Sequence, residues 1–395
     1  MNSQKVNSSY KQSPIGRIPK EWEIIKTDDF LSLEYGKGLT ERERGGGIFP
    51  VFGSNGIVGY HSKYLIKGPG IVVGRKGTIG AITWTDENFW PIDTTYYIEL
   101  KNIEIDMKWL FYKLTSLKLD KLNMATGTPG LNRNLVYSLK TALPSRPEQQ
   151  KIAEILSAVD EGIGKVDEVI KKTERLKKGL MQKLLTEGIG HREFKDSEIG
   201  KIPKEWEVEK LSGIGEIITG TTPSTKIEEY WGEGHPFVTP TDFSDKKYVD
   251  KTERYVTQKG IKKARIIPKN SVMVTCIASV GEISMASMEC ITNQQINTIV
   301  CNNGINPHYV YYIMLFRKNI LKRWAGITTS PIIKKSLFEK FPLPLPPLPE
   351  QQKIAEVLSD VDKKIELERE RKGKLERIKK GLMSDLLSGR KRVKI

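Results

Sequence analysis

Side chains able to grip nucleic-acid bases gather in a few glycine- and threonine-rich stretches. IVVGRKGTIGAITW at 71–84 predicts two apolar strands around a glycine turn that carries Arg75, Lys76 and Thr78. ATGTPGLNRN at 125–134 adds Asn132 and Arg133. Later in the chain, SVMVTCIASVGEISMA at 271–286 takes the corresponding place. It is followed by Gln294, Gln295 and Asn297, then by AGITTSPIIKK at 325–335 with Thr328, Thr329, Ser330, Lys334 and Lys335. Arginine can hold the two acceptors of guanine, and Asn or Gln can pair with adenine in the same way. Lysine more often holds phosphate, which adds affinity without sequence information. These thirteen residues are the candidate DNA contacts. For each one taken alone, ordinary turn chemistry is the competing reading. For Gln294 and Gln295 it is a buried role tying strands together.

Other chemistries lack their residues. No GxxxxGK followed by Ser or Thr is present, so no phosphate-cradling loop is expected. GRKGTIG at 74–80 has spaced glycines in the wrong pattern for a dinucleotide site. No DPPY- or NPPY-like tetrapeptide of an adenine methyltransferase occurs. His61, His191, His235 and His308 are scattered, with no zinc-like spacing. Asp86 with Glu99 and Lys101 loosely imitates a metal nuclease, but the later module has no match. The expectation is a chain with no catalytic residues, no metal and no cofactor of its own.

The elements that must position the candidate contacts come in two copies. PEQQKIAE occurs at 147–154 and again at 349–356. SPIGRIPKEWE at 13–23 returns as SEIGKIPKEWE at 197–207, and KKGLM at 177–181 returns at 379–383. Such identity marks an internal duplication. The opener shifts by 184 residues and the later motifs by 202, so the segment between them is 18 residues shorter in the first copy. A constant opener, a divergent module and a constant helix thus follow one another twice. After Pro147, the residues Ile152, Leu156, Val159, Ile163, Val166, Ile170, Thr173, Leu180 and Leu184 advance by threes and fours, broken at Lys177. The second helix repeats this with Ile354, Leu358, Val361, Ile365, Leu375, Leu382 and Leu386, interrupted by Glu368, Lys372 and Lys379. Each helix is the obvious partner of the other. The fold expected is α+β: two globular α/β-mixed modules joined by two long helices in an antiparallel coiled coil, with a pseudo-twofold internal repeat. The domains expected are 1–146 and 188–348 for the modules, and 147–187 and 349–395 for the helices, the last including a basic tail.

A chain of 395 residues is long enough for two to three domains. Its net charge of +16 divides as +6, 0, +5 and +5 over those four segments, so both modules are basic and suited to a polyanion. No apolar run approaches the roughly 20 residues of a membrane span. The opening MNSQKVNSSYKQS lacks the apolar centre of a signal peptide. Cys276, Cys290 and Cys301 lie in the later module without counterparts, which argues against a disulfide framework. A cytoplasmic location is expected.

Two unlike basic modules, two alike helices and no catalytic motif resemble one family: the specificity subunit of a Type I restriction-modification enzyme. The resemblance rests on the doubled EQQKIAE run with its helix, the KKGLM and Leu-Leu ends (Leu184, Leu185; Leu386, Leu387), the IPKEWE openers and TGTTPS at 219–224. The first module has YGKGLTERERGGG at 35–47 instead. The resemblance implies that each module is a target recognition domain reading one half of a split site in double-stranded DNA. It implies that the constant parts dock two modification (methyltransferase) subunits, with restriction (translocase and nuclease) subunits joining to cleave. S-adenosylmethionine, ATP and magnesium would then belong to the partners. Glu148, Gln149, Gln150, Glu350, Gln351 and Gln352, in the doubled motif, are the docking residues expected. The alternative is a free-standing, two-headed DNA-binding regulator without enzyme partners.

Overall fold

The computed structural model describes residues 9–101, 104–122, 130–326 and 331–395. The chain forms two compact units: residues 1–167 with 370–395, and residues 168–369. The division therefore cuts through both long helices and not at the ends of the modules.

In the first unit, apolar runs that alternate with glycine make a four-stranded sheet. Its strands are β1 (Leu31–Tyr35), β2 (Gly70–Gly74), β3 (Ile82–Thr85) and β4 (Thr95–Leu100), in the order β1-β4-β2-β3, with all pairs antiparallel. The second unit repeats the plan with β5 (Gly215–Thr219), β6 (Tyr248–Val249), β7 (Val272–Thr275), β8 (Ile283–Ala286) and β9 (Ile296–Cys301), in the order β5-β9-β7-β8-β6. The expected strand pairs around the glycine turns are thus β2 with β3 and β7 with β8. Helices Met107–Ser116 and Pro307–Trp324 cover the sheets, started by Asp106 and Asn306, whose side chains cap the free N–H groups of the first turn. Each unit has its own core, around Trp22, Leu31, Trp109 and Tyr112 in one and Trp206, Tyr309, Tyr312 and Phe341 in the other.

The long helices run Arg146–Leu184 and Leu348–Leu386. At 39 residues each, they are about 58 Å long. Ile152 and Leu156 at the start of the first helix enter the core of the first unit, where Leu386 and Leu387 from the end of the second join them. In the other unit Ile354 and Leu358 meet Leu185 in the same way. The two helices pair antiparallel in both units. The lysines that interrupt the apolar seams are what tie it. Lys379 reaches Asp160 at 2.6 Å and Lys372 reaches Asp167 at 2.8 Å in the first unit. In the second, Lys177 reaches Asp362 at 2.6 Å and Arg369 reaches Glu174 at 2.8 Å. A step of seven up one helix is matched by seven down the other, which fixes the direction. Glu368 instead pairs along its own helix with Lys364 at 2.9 Å.

Of the six docking residues expected in the doubled motif, Glu148, Gln149 and Gln351 are buried and Glu350 is half-buried, each held by partners within its own unit. Glu148 is 1 % exposed and accepts hydrogen bonds from Trp22 Nε1 at 2.9 Å and Arg392 Nε at 2.6 Å. Gln149 donates to Pro144 O at 3.0 Å and accepts from Asp106 N at 2.8 Å, so it fastens the helix to the module's last strand and to a helix cap. The second copy repeats both devices. Glu350 accepts from Trp206 Nε1 at 3.0 Å and Ile189 N at 2.8 Å, with His191 Nε2 3.0 Å away. Gln351 bridges Pro346 O and Asn306 N at 2.8 Å each. Buried carboxylates and amides need such partners, and each of these side chains has at least two within its own unit. Of the six, Gln150 and Gln352 are exposed.

Candidate nucleic-acid interface

In the first unit the β2–β3 turn stands beside the segment 130–134 and the end of β1. The turn is closed by bonds from Gly74 N to Ala81 O and Gly80 N to Gly74 O, each 2.8 Å. Arg75 is held at its root, its N–H donating to Thr94 O at 3.0 Å while its carbonyl accepts from Leu131 N at 2.8 Å. An open cavity of about 530 Å³ results, lined by Arg75, Lys76, Asn132 and Arg133 together with Tyr35 and Tyr96. Four of the five contacts expected in this module therefore come together. Thr78 lies exposed on the same turn but does not line the cavity.

The two tyrosines form a floor that sequence reading missed. Tyr35 and Tyr96 are cross-strand neighbours with ring centroids 5.1 Å apart. The Arg75 guanidinium lies 4.8 Å from the Tyr35 ring and 5.9 Å from Tyr96, and Arg133 lies 5.3 Å from Tyr35. Tyr96 donates to Leu131 O at 3.1 Å, and burial holds its phenol above the usual range, so it stays neutral. Asn132 spends its side-chain oxygen on Asn134 N at 2.9 Å, capping the short helix Arg133–Tyr137.

The second unit builds the same frame with other side chains. Cys276 N donates to Gln295 O at 2.7 Å and Cys276 O accepts from Ile333 N at 2.9 Å, reproducing the bonds that root Arg75. By this register Cys276 stands where Arg75 does, Thr219 and Asn297 where Tyr35 and Tyr96 do, and Lys334 and Lys335 where Asn132 and Arg133 do. Gly36 and Gly220 also coincide. At each, a Cβ would overlap a backbone carbonyl oxygen, of Ile92 or of Asn293, so only glycine lets the chain leave the sheet there. This equivalence identifies YGKG at 35–38 as the counterpart of TGTT at 219–222. The signal was present in the 184-residue shift of the opener.

Module two corrects some expectations. Asn297 is 3 % exposed and accepts from Thr219 Oγ1 at 2.7 Å within the sheet, so it is a strand tie and not a base reader. Gln295 is bound to Asn293 Nδ2 at 2.9 Å. Gln294 is exposed and accepts from Thr222 Oγ1 at 2.7 Å, on the TGTTPS loop. Lys334 is exposed at the start of a short helix, and Lys335 lies 3.6 Å from Glu339. Thr328, Thr329 and Ser330 lie outside the described residues. Arg265, which sequence reading passed over, donates to Thr219 O at 2.8 Å and brings a guanidinium to this place from another segment. Burial pushes the Cys276 thiol up to about 12, which leaves it unreactive. Among the described residues, no group of three or more His, Cys, Asp or Glu could hold a metal, and no helix is long and apolar enough to cross a membrane.

Two modules with one backbone frame and unlike polar faces, joined by a helix pair, define a two-headed recognition subunit. The family model for the Type I restriction modification DNA specificity domain matches residues 19–174 and again 203–377. The chain belongs to this family: it is a Type I restriction-modification specificity subunit with two target recognition domains, the non-catalytic DNA-recognition component of such a system. It is 29 % identical to the Type I restriction enzyme MjaVIII specificity subunit of Methanocaldococcus jannaschii, over 96 % of this chain and 95 % of that one. The MjaIX specificity subunit of the same organism is 40 % identical over 47 % of this chain and 44 % of its own. The S subunit of a Type I restriction-modification system from M. genitalium has the same fold, with a TM-score of 0.68 at 17 % identity over 97 % of this chain and 98 % of that one.

Proposed function

We propose that each target recognition domain reads one half of a bipartite, non-palindromic DNA site. The observation that carries this is the shared frame with divergent faces. Tyr35, Arg75 and Arg133 in one domain are replaced at equivalent backbone positions by Thr219, Cys276 and Lys335 in the other. A homodimer reads a palindrome because its halves are identical; a fused pair with unlike faces reads two unrelated half-sites. The DNA-facing residues in this reading are Arg75, Lys76, Asn132 and Arg133 in the first domain, and Gln294, Lys334, Lys335 and Arg265 in the second.

The helix pair sets the half-site spacing in this reading, and the constant elements seat two modification subunits, through which restriction subunits join. With Glu148, Gln149, Glu350 and Gln351 turned inward, docking falls to outward residues of the helices. Gln150 and Gln352 are exposed there, as are Leu176 at 56 % and Leu367 at 62 %. Such a subunit works in the cytoplasm, where its DNA is. The test is an exchange of residues 24–143 for the equivalent segment of another family member. One half of the methylated sequence is expected to change while the other stays. A change in both halves, or in neither, defeats the proposal.

A further inference from the structure

The Arg133 side chain makes no hydrogen bond or ion pair among the described residues, and the backbone that carries it is fixed. Its backbone opens the short helix capped by Asn132, and the bonds from Leu131 N to Arg75 O and from Tyr96 Oη to Leu131 O tie that segment to the sheet. The guanidinium rests on the Tyr35 ring, which is itself 49 % exposed at the end of β1. A cation–π contact holds a guanidinium near the ring and consumes none of its five N–H donors. A held planar fork with free donors is complementary to a pair of adjacent acceptors.

Arg75 shares the ring but plays a different part. Its Nη1 donates to Asp93 O at 3.0 Å, and a second ring, Tyr96, lies 5.9 Å away. Two guanidinium groups against one exposed ring repel each other, and an acceptor-rich ligand relieves that repulsion. In the second domain the equivalent of Arg133 is Lys335, 3.6 Å from Glu339, with Thr219 in place of the ring. An ammonium is a compact point charge without the planar fork of a guanidinium, and here it has a carboxylate beside it.

We propose that Arg133 reads a guanine in the first half-site through its major-groove O6 and N7 acceptors, with Tyr35 and Arg75 as positioning residues, and that Lys335 reads no base. The proposal rests on the first domain reading DNA. The full chain, copurified with its modification subunits, is used to select from a duplex library of two random blocks around a spacer of random length. Wild type is expected to select a two-part motif with an invariant guanine in the half that the 24–143 exchange alters. Arg133→Lys keeps the charge and is expected to lose about 10- to 100-fold in preference for that guanine while retaining the rest of the motif. 7-Deazaguanine at that position should weaken wild type by about tenfold and leave Arg133→Lys unmoved. Tyr35→Phe keeps the ring and should preserve the preference, whereas Tyr35→Leu should relax it. Lys335→Ala should weaken binding to all sequences alike and leave every base preference in place. If wild type selects no motif, the DNA-reading proposal fails and takes this one with it. If it selects a motif whose first half lacks an invariant guanine, or Arg133→Lys keeps the preference, only the guanine assignment is overturned.

Discussion

Removal of the Arg392 side chain should loosen the first unit and leave the second untouched. Arg392 holds Glu148 through two nitrogens, Nε at 2.6 Å and Nη2 at 3.0 Å, and also reaches Glu21 at 2.8 Å. The Glu148 side chain is 1 % exposed and that of Arg392 is 35 %. Breaking a fully buried pair by deleting one partner costs about 3–5 kcal/mol, and an exposed pair is worth about 0–1. With one partner buried and the other a third open, Arg392→Ala should cost about 2 kcal/mol. Most of that is the stranded carboxylate, because Trp22 Nε1 alone would remain to solvate it. Adding Glu148→Gln removes the charge and keeps an acceptor for Trp22, so the double variant should recover about 1 kcal/mol. A chain of two units has no single unfolding midpoint, so the assay is native-state hydrogen exchange. The duplicated openers supply an internal control. Peptide 15–26 should exchange about 30-fold faster in Arg392→Ala, while its counterpart 199–210, clamped by Glu350 and His191, should not change. Equal acceleration of both peptides, or a double variant no better than the single one, would refute the clamp.

Three further outcomes are expected. Lys113 is buried, and burial lowers its pKa to about 8, with its ammonium on Leu387 O; the second unit has Ile313 at the matching place. The folded pKa lies below the unfolded value near 10.4, so the charge destabilises the fold fully below about pH 8 and ceases to do so as pH rises to 10.4. Lys113→Ile should therefore stabilise the first unit by about 1 kcal/mol at pH 7, an advantage that urea titrations followed by a probe in the first unit should find shrinking between those values. His308 is half-buried beside Tyr248, and burial, then the Lys247 charge, depress its pKa to about 4; stability present above pH 6.5 should be lost as pH falls toward 4, by on the order of 1 kcal/mol after screening, and His308→Gln should abolish that loss in acid titrations. Gly220→Ala sets a Cβ against the Asn293 carbonyl and should cost about 3 kcal/mol or more, with reading of the second half-site lost in a binding selection and the first kept.

The architecture was legible because duplication writes it twice. The repeated octapeptide marked the helices, and their three-four spacing showed which residues seek apolar partners. The glycine turns were legible too, since only strand–turn–strand accommodates IVVGRKGTIG. Direction within the constant motif was not. EQQ reads as a polar, outward patch, and only the tertiary fold shows Trp22 and Trp206 reaching 126 and 144 positions along the chain to meet its carboxylates. Asn297 failed for a related reason. Its side chain could read adenine, but a strand partner, Thr219, is 78 positions away and takes the oxygen.

The sequence by itself determined the repeat, the helix seams, the basic modules and the absence of catalytic motifs, because each is a property of spacing or composition along one dimension. Tertiary structure decided which polar side chains are spent and which remain free. The lysines that seemed to spoil the seams became its ion pairs with Asp160, Asp167 and Asp362. Arg75 and Arg133, 58 positions apart, came to share one exposed tyrosine ring. A hydrogen-bonding side chain has the same formula whether it holds the fold or faces a ligand. Its role depends on whether the folded chain brings a partner within about 3 Å, and that distance is set by contacts remote in sequence.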